Sequence, residues 1–245
     1  MDGQWVALMA AVALALLHLL AGRMRFLDGI PRSWWLSLAG GISVAYVFVH
    51  LLPELNRAQE AVGEAAGGLA AALESHVYLL ALAGLAAFYG IERASRGSRR
   101  RRHEREGLDE ASPVLAWFAL GSYAVYNAII GYLLVHREDP GAGGLLLFAA
   151  AMGVHFVVND HALREHYRQR YHDRGRWVLA AAVVLGWAVG AVTEVTEAFL
   201  GLLLALLAGG VILNVMKEEL PAERESRFTA FLTGAAVYTV VLLAV

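Results

Sequence analysis

Long apolar runs alternate with short polar stretches from one end of the chain to the other. Each run approaches the ~20 residues that cross a hydrocarbon core as a helix. The pattern predicts membrane spans at about 4–22, 34–53, 76–92, 113–136, 144–163, 177–195, 197–216 and 228–245. The expected fold is therefore all-α, a polytopic membrane helix bundle of about eight transmembrane helices forming a single integral membrane domain, residues 1–245. Glu194 and Glu197 lie between the sixth and seventh runs, with no Pro or Gly to turn the chain. As one helix these runs would cover about 40 residues, twice what a bilayer needs, so a tight reversal is expected there. The first run reads as a retained helix rather than a cleaved signal. Asp2 sits where a signal would be cationic, the apolar stretch from Trp5 to Leu20 is long, and Arg23 and Arg25 follow it.

The connections sort by charge. Arg23, Arg25 and Arg32 lie in the first. Arg93, Arg96, Arg99, Arg100, Arg101, Arg102 and Arg105 lie in the third, an Arg-rich loop over 93–112. Arg164, Arg168, Arg170, Arg174 and Arg176 lie in the fifth, and Lys217, Arg224 and Arg227 in the seventh. The even connections hold only Arg57 and Arg137 as cations, beside Glu54, Glu60, Glu64, Glu74, Glu138, Asp139, Glu194 and Glu197. Basic segments stay on the cytoplasmic side, so the odd loops are expected inside and both termini outside. The second connection, Asn56 to Ser75, reads as a short interfacial helix or a flexible cap. The Arg99–Arg102 run reads as a solvated, orientation-setting segment beside an anionic leaflet, not as a nucleic-acid site.

Composition agrees with a membrane class. Hydrophobic residues make up 58% and charged residues 17%, where a soluble domain has about 45–50% and about 25%. The net charge of -2 conceals the segregation just described. The 25 glycines and abundant alanines suit close helix packing in lipid. The expected partners are the lipid bilayer and, as a candidate, a second copy of the chain in a homodimer. An Ala/Arg-rich, Lys-poor composition points to a GC-rich prokaryotic genome, hence a plasma (inner) membrane. There is no cysteine, so a metal site would have to use His, Asn, Asp or Glu.

Ionisable groups at membrane depth are costly and are functional candidates by default. His155 lies midway along the fifth span and Asn159 one turn further on the same face. Asp160 follows, nearer the cytoplasmic end. Asn127 lies near the middle of the fourth span, beside Tyr123 and Tyr126. His50 and Glu54 are four apart at the outer end of the second span, around Pro53. Asn214 and Glu218 repeat that spacing in the seventh, and His18 is near the inner end of the first. If the fourth and fifth spans pack together, His155, Asn159 and Asn127 form one polar cluster. That cluster is either a site for a divalent ion or a hydrogen-bond network joining helices. His136, His161, His166 and His172 fall at span ends or in loops and are expected to be solvated.

The stretch GGISVAYVFVHLLPEL, Gly40 to Leu55, resembles the second helix of the ZIP family of zinc and iron permeases, and His50-Leu51-Leu52-Pro53-Glu54 resembles its common ending. AGGVILNVMKEELP, Ala208 to Pro221, resembles the family's seventh helix. Eight helices with external termini and a charged loop between helices three and four are also the ZIP arrangement. The resemblance implies transport of Zn2+ or another divalent cation as substrate, with no other cofactor and no enzymatic activity.

The transport motifs depart from the family. ZIP proteins carry His-Asn-x-x-Asp in helix four, where this chain has Tyr126-Asn127-Ala128-Ile129-Ile130. They carry His-x-x-x-Glu in helix five, where it has His155-Phe156-Val157-Val158-Asn159. Asn127 and His155 survive; both carboxylates are gone. Such a site holds a divalent charge weakly, and loses it as an unperturbed imidazole protonates below about pH 6.5. Three readings follow: divalent-cation transport or binding at His155, Asn127, Asn159 and Asp160, with His50 and Glu54 as a further pair; a ZIP-like scaffold without transport, sensing or binding a partner; and an intramembrane metal hydrolase. The last needs three ligands at one depth around an activated water. His50, His155 and Asp160 are expected at different depths.

Overall fold

The computed structural model describes residues 2–24, 34–65, 76–108, 111–136, 142–219 and 227–244. Arg25, Arg32, Glu74, Arg137, Glu138, Asp139, Pro221 and Arg224 lie outside the described residues, as do positions 66–75 of the second connection. The elements are α1 (Asp2–Leu20), α2 (Trp34–Tyr46), α3 (Leu52–Ala65), α4 (His76–Glu106), α5 (Pro113–Leu133), α6 (Ala142–Arg170), α7 (Arg176–Val192), α8 (Glu197–Glu219) and α9 (Phe228–Leu243). No strand occurs among the described residues. Seven helical stretches there are long and apolar enough to cross a membrane, and Phe228–Leu243 is an apolar, shorter eighth. The chain is an all-α membrane helix bundle.

Two π-helical turns interrupt the helices. The first, Val47–Leu51, joins α2 to α3. Pro53 has no N–H to give back along the helix, and the Leu52 N–H reaches Val47 O across the wider turn. His50 therefore sits in the π turn itself. The second, Tyr171–Gly175, joins α6 to α7, and Gln169 Nε2 donates to Asp173 Oδ1 across it at 2.8 Å.

The chain divides into two compact units: one of Met1–Leu27 with Ala87–Ala191, the other of Asp28–Ala86 with Val192–Val245. In the first unit α1 runs parallel to α6. Leu14 and Leu17 lie over Gly153, and further along Arg164 donates to Ala21 O at 3.2 Å. The α5 helix runs antiparallel to α6, since Arg170 reaches Ala111 O while Tyr126 meets His155. The α7 helix runs parallel to α5: Leu120 adjoins Gly175, Ala128 adjoins Gly186 and Tyr132 adjoins Gly190. The chain thus doubles back through the Tyr171–Gly175 turn, and the helix directions within this unit are those alternating spans require. A core of Ala116, Ala119, Leu120, Leu163, Tyr167, Tyr171 and Leu179 closes one end.

In the second unit α2 and α9 run side by side. A Cβ added at Gly41 would overlap the Phe231 carbonyl, and one at Gly234 the Leu38 carbonyl. Arg227 N donates to Ser37 Oγ at 3.2 Å where the pair begins. Gly201 of α8 adjoins Ala58 of α3, and Gly209 adjoins Ala81 of α4. Val77 N donates to Gln59 Oε1 at 3.1 Å, tying the start of α4 to α3.

Three expected boundaries move. The α3 helix carries residues 56–65 of the expected second connection. The Arg-rich segment is helical through Glu106 rather than a loop. The 31 residues of α4 span about 46 Å, well beyond a ~30 Å core. Its basic end is held by i,i+4 pairs, Arg96–Glu92, Arg100–Glu104 and Arg102–Glu106. It stops at Gly107, whose φ of 68° is the left-handed cap glycine permits. Between α7 and α8 the helix breaks over residues 193–196. Thr196 Oγ1 accepts from Phe199 N at 3.3 Å, a hydroxyl N-cap that starts α8 without Pro or Gly.

Candidate functional site

The first unit contains a polar centre within its apolar packing. On α6, His155 and Asn159 lie one turn apart, so their side chains stack on one face. Asn159 Nδ2 donates to His155 Nε2 at 2.9 Å, and the Tyr126 hydroxyl of α5 meets the same nitrogen at 2.8 Å. Asn127, next along α5, points to a different histidine. Its Nδ2 donates to His18 Nε2 at 2.9 Å. His18 comes from the last turn of α1, and its Nδ1 donates to Asp160 Oδ2 at 2.8 Å. With the amide nitrogen at Nε2, His18 carries its proton on Nδ1 and presents it to the carboxyl. The Phe156 ring lies against the His18 ring, centroids 4.4 Å apart.

Tyr171 closes the end of this centre. Its hydroxyl donates to His18 O at 3.4 Å and also lies beside the Asp160 carboxyl. Asp160 Oδ1 is buried and makes no hydrogen bond of ordinary geometry with the described residues. His18, Tyr126, Asn127, His155, Asn159 and Asp160 are each no more than 5% exposed. That matters because a carboxylate so enclosed must be paired to be tolerated.

Two centres thus stand where one was expected. Tyr126 and Asn127, adjacent on α5, take one imidazole each. Asn159 and Asp160, adjacent on α6, do the same. Tyr126 therefore supplies the hydroxyl that holds His155. Sequence reasoning left His18, Tyr126 and Tyr171 out of the site. His18 was visible only as a lone polar residue at the end of an apolar run, and its partner lies 142 residues away, beyond the reach of any periodicity. It also found no carboxylate at mid-span, yet α1 brings an imidazole to Asp160.

His50 and Glu54 form a separate pair in the second unit, Nε2 to Oε2 at 3.3 Å, with the His50 side chain 40% exposed. Tyr46 lies against the His50 ring at 5.3 Å between centroids. Of the histidines expected to be solvated, His161 is buried, with Nδ1 3.2 Å from Arg164 Nη2. His136 lies 2.8 Å from Gly190 O, and His166 lies 2.9 Å from Ala162 O. His136 and His166 are half-buried.

Among the described residues no three His, Asp or Glu side chains converge as a metal-holding group. The first unit instead offers imidazole nitrogen, amide oxygen, phenol oxygen and one carboxylate. A carboxylate on a histidine nitrogen is the arrangement that fixes the tautomer and orientation of a metal-binding imidazole; here the other nitrogen faces an amide. No family model matches the chain, and no curated protein is significantly similar to it.

Proposed function

We propose that this membrane protein is ZIP-like and binds or moves a divalent cation of the zinc type, with the His18–Asp160 and His155–Asn159 centres on the ion's path. The observation that carries the reading is the His18–Asp160 pair, 2.8 Å apart and almost wholly enclosed. Burying these groups in a membrane costs more than apolar side chains would, so it asks for a use. Asp160 supplies negative charge that the altered helix-four and helix-five motifs lack. Asn127 and Asn159 supply amide oxygens once their side chains turn over. One carboxylate makes for weaker binding than a site with several. The sequence motif that led to the reading is His50-Leu51-Leu52-Pro53-Glu54.

One observation favours the second reading, a ZIP-like scaffold without transport: both nitrogens of His18 and the Nε2 of His155 are already engaged by protein groups. A purified-protein titration with zinc or cadmium separates the two. On the first reading wild type binds, His155→Ala and His18→Ala each lose at least tenfold in affinity, and Ile130→Asp combined with Asn159→Glu tightens binding. Wild-type binding indifferent to both alanine variants moves the ion to His50 and Glu54. Absence of binding, and of zinc uptake by proteoliposomes, leaves the scaffold.

A further inference from the structure

An apolar groove of about 620 Å³ runs along the first unit between α1 and α6. Val6, Ala10, Leu14 and Leu17 line one wall, and Leu146, Ala150, Gly153 and Val157 the other. Its length, Val6 to Leu17, is about 16 Å, the depth of one leaflet of a ~30 Å core. Gly153 forms the floor: a Cβ there would stand 3.1 Å from Leu17 Cδ1. At one end His18 follows Leu17, and its ring lies tilted against Phe156 with centroids 4.4 Å apart. Just beyond that end the helices turn basic. Arg164 bridges to Ala21 O, with His161 against its guanidinium. Arg23, exposed, ends the short turn that follows α1. At the other end α1 begins with an acid, Asp2.

We propose that this groove holds one acyl chain of an anionic phospholipid whose phosphate rests on Arg23 and Arg164. The apolar walls account for the tail. The cations at a single end account for the headgroup charge and fix which way the lipid lies. Basic residues between helices at a cytoplasmic boundary recognise anionic headgroups in this manner. The proposal is independent of any metal binding.

The experiment is native mass spectrometry of the full chain, released from detergent with phosphatidylglycerol or phosphatidylcholine and paired with thermal melting in the same lipids. Wild type should retain one phosphatidylglycerol at least tenfold more tightly than phosphatidylcholine and melt higher with it. The preference should shrink in high salt and in Arg23→Gln. Ala13→Phe and Ala150→Phe change exposed lining residues and should fill the groove, abolishing retention while the lipid-free melting temperature stays within about 3 °C. Arg164→Lys, which keeps the charge, should keep the preference. Equal retention of both lipids overturns the proposal, as does retention that survives both phenylalanine variants. A dimer that the same variants dissociate would mean a second copy of this chain occupies the groove instead.

Discussion

His18 and Asp160 face each other in surroundings where neither could stand alone, and the two must be changed together to see what they are for. His18→Ala leaves the carboxyl without its donor and should cost about 1–3 kcal/mol, read from reversible unfolding in mixed micelles. Asn127→Ala removes one interhelical hydrogen bond and should cost about 0.6–2 kcal/mol. The paired replacement His18→Leu with Asp160→Leu takes away both polar partners, and its loss should be smaller than that of His18→Ala. A protein that keeps its fold in that double variant but loses zinc binding has the pair for its chemistry. One that keeps both uses the pair for neither. Half of this centre was legible beforehand. His155, Asn159 and Asn127 stood out because they interrupt apolar runs, and helical spacing put the first two on one face. The pairing of Asn127 with His18 was not legible, because periodicity within one span does not say which other helix will lie beside it.

At the scale of the elements, the helix crossings are set where a glycine lets two backbones meet. Gly186→Leu should push α7 off the Ala128 carbonyl, and Gly41→Leu should push α2 off the Phe231 carbonyl. Each should cost about 1–3 kcal/mol or more, the penalty for overfilling a packed contact. Gly90→Ala and Gly121→Ala meet nothing within 4 Å and should be neutral or slightly stabilising, since alanine is the better helix former. Thermal melting of the four variants in one detergent checks the contrast; equal losses would mean the contacts do not govern stability. The existence of these helices was readable from apolar run length alone. Their ends were not. Hydropathy stops α4 at the first arginines, whereas paired Arg and Glu residues four apart carry its backbone on to Gly107. The break before α8 lacked the expected turn residues because a threonine hydroxyl does the capping.

For the molecule as a whole, the alternation of basic and acidic connections still sets the orientation to be tested. Ser98 is buried and accepts a hydrogen bond from Ser112 N, so a cysteine there would be shielded on either side of the membrane. Arg101 and Glu194 are exposed and make better reporters. In a chain with no cysteine of its own, Arg101→Cys should resist an impermeant thiol reagent in intact cells and react after permeabilisation. Glu194→Cys should react from outside. The reverse pattern would invert the topology and place the basic ends outside.

The distance between His18 and Asp160 along the chain has a consequence for how the protein is made. The helix bearing His18 leaves the ribosome before the one bearing Asp160, the residue that pairs with it, 142 positions later. At the usual ~5–20 residues per second of synthesis, that is a wait of roughly 7–30 s. The place of His18 in the last turn of α1 puts it at the end of the apolar run rather than in its middle. The first unit is therefore completed after translation of most of the chain, and a nascent protein truncated before position 160 would carry an α1 with a polar end that nothing yet covers.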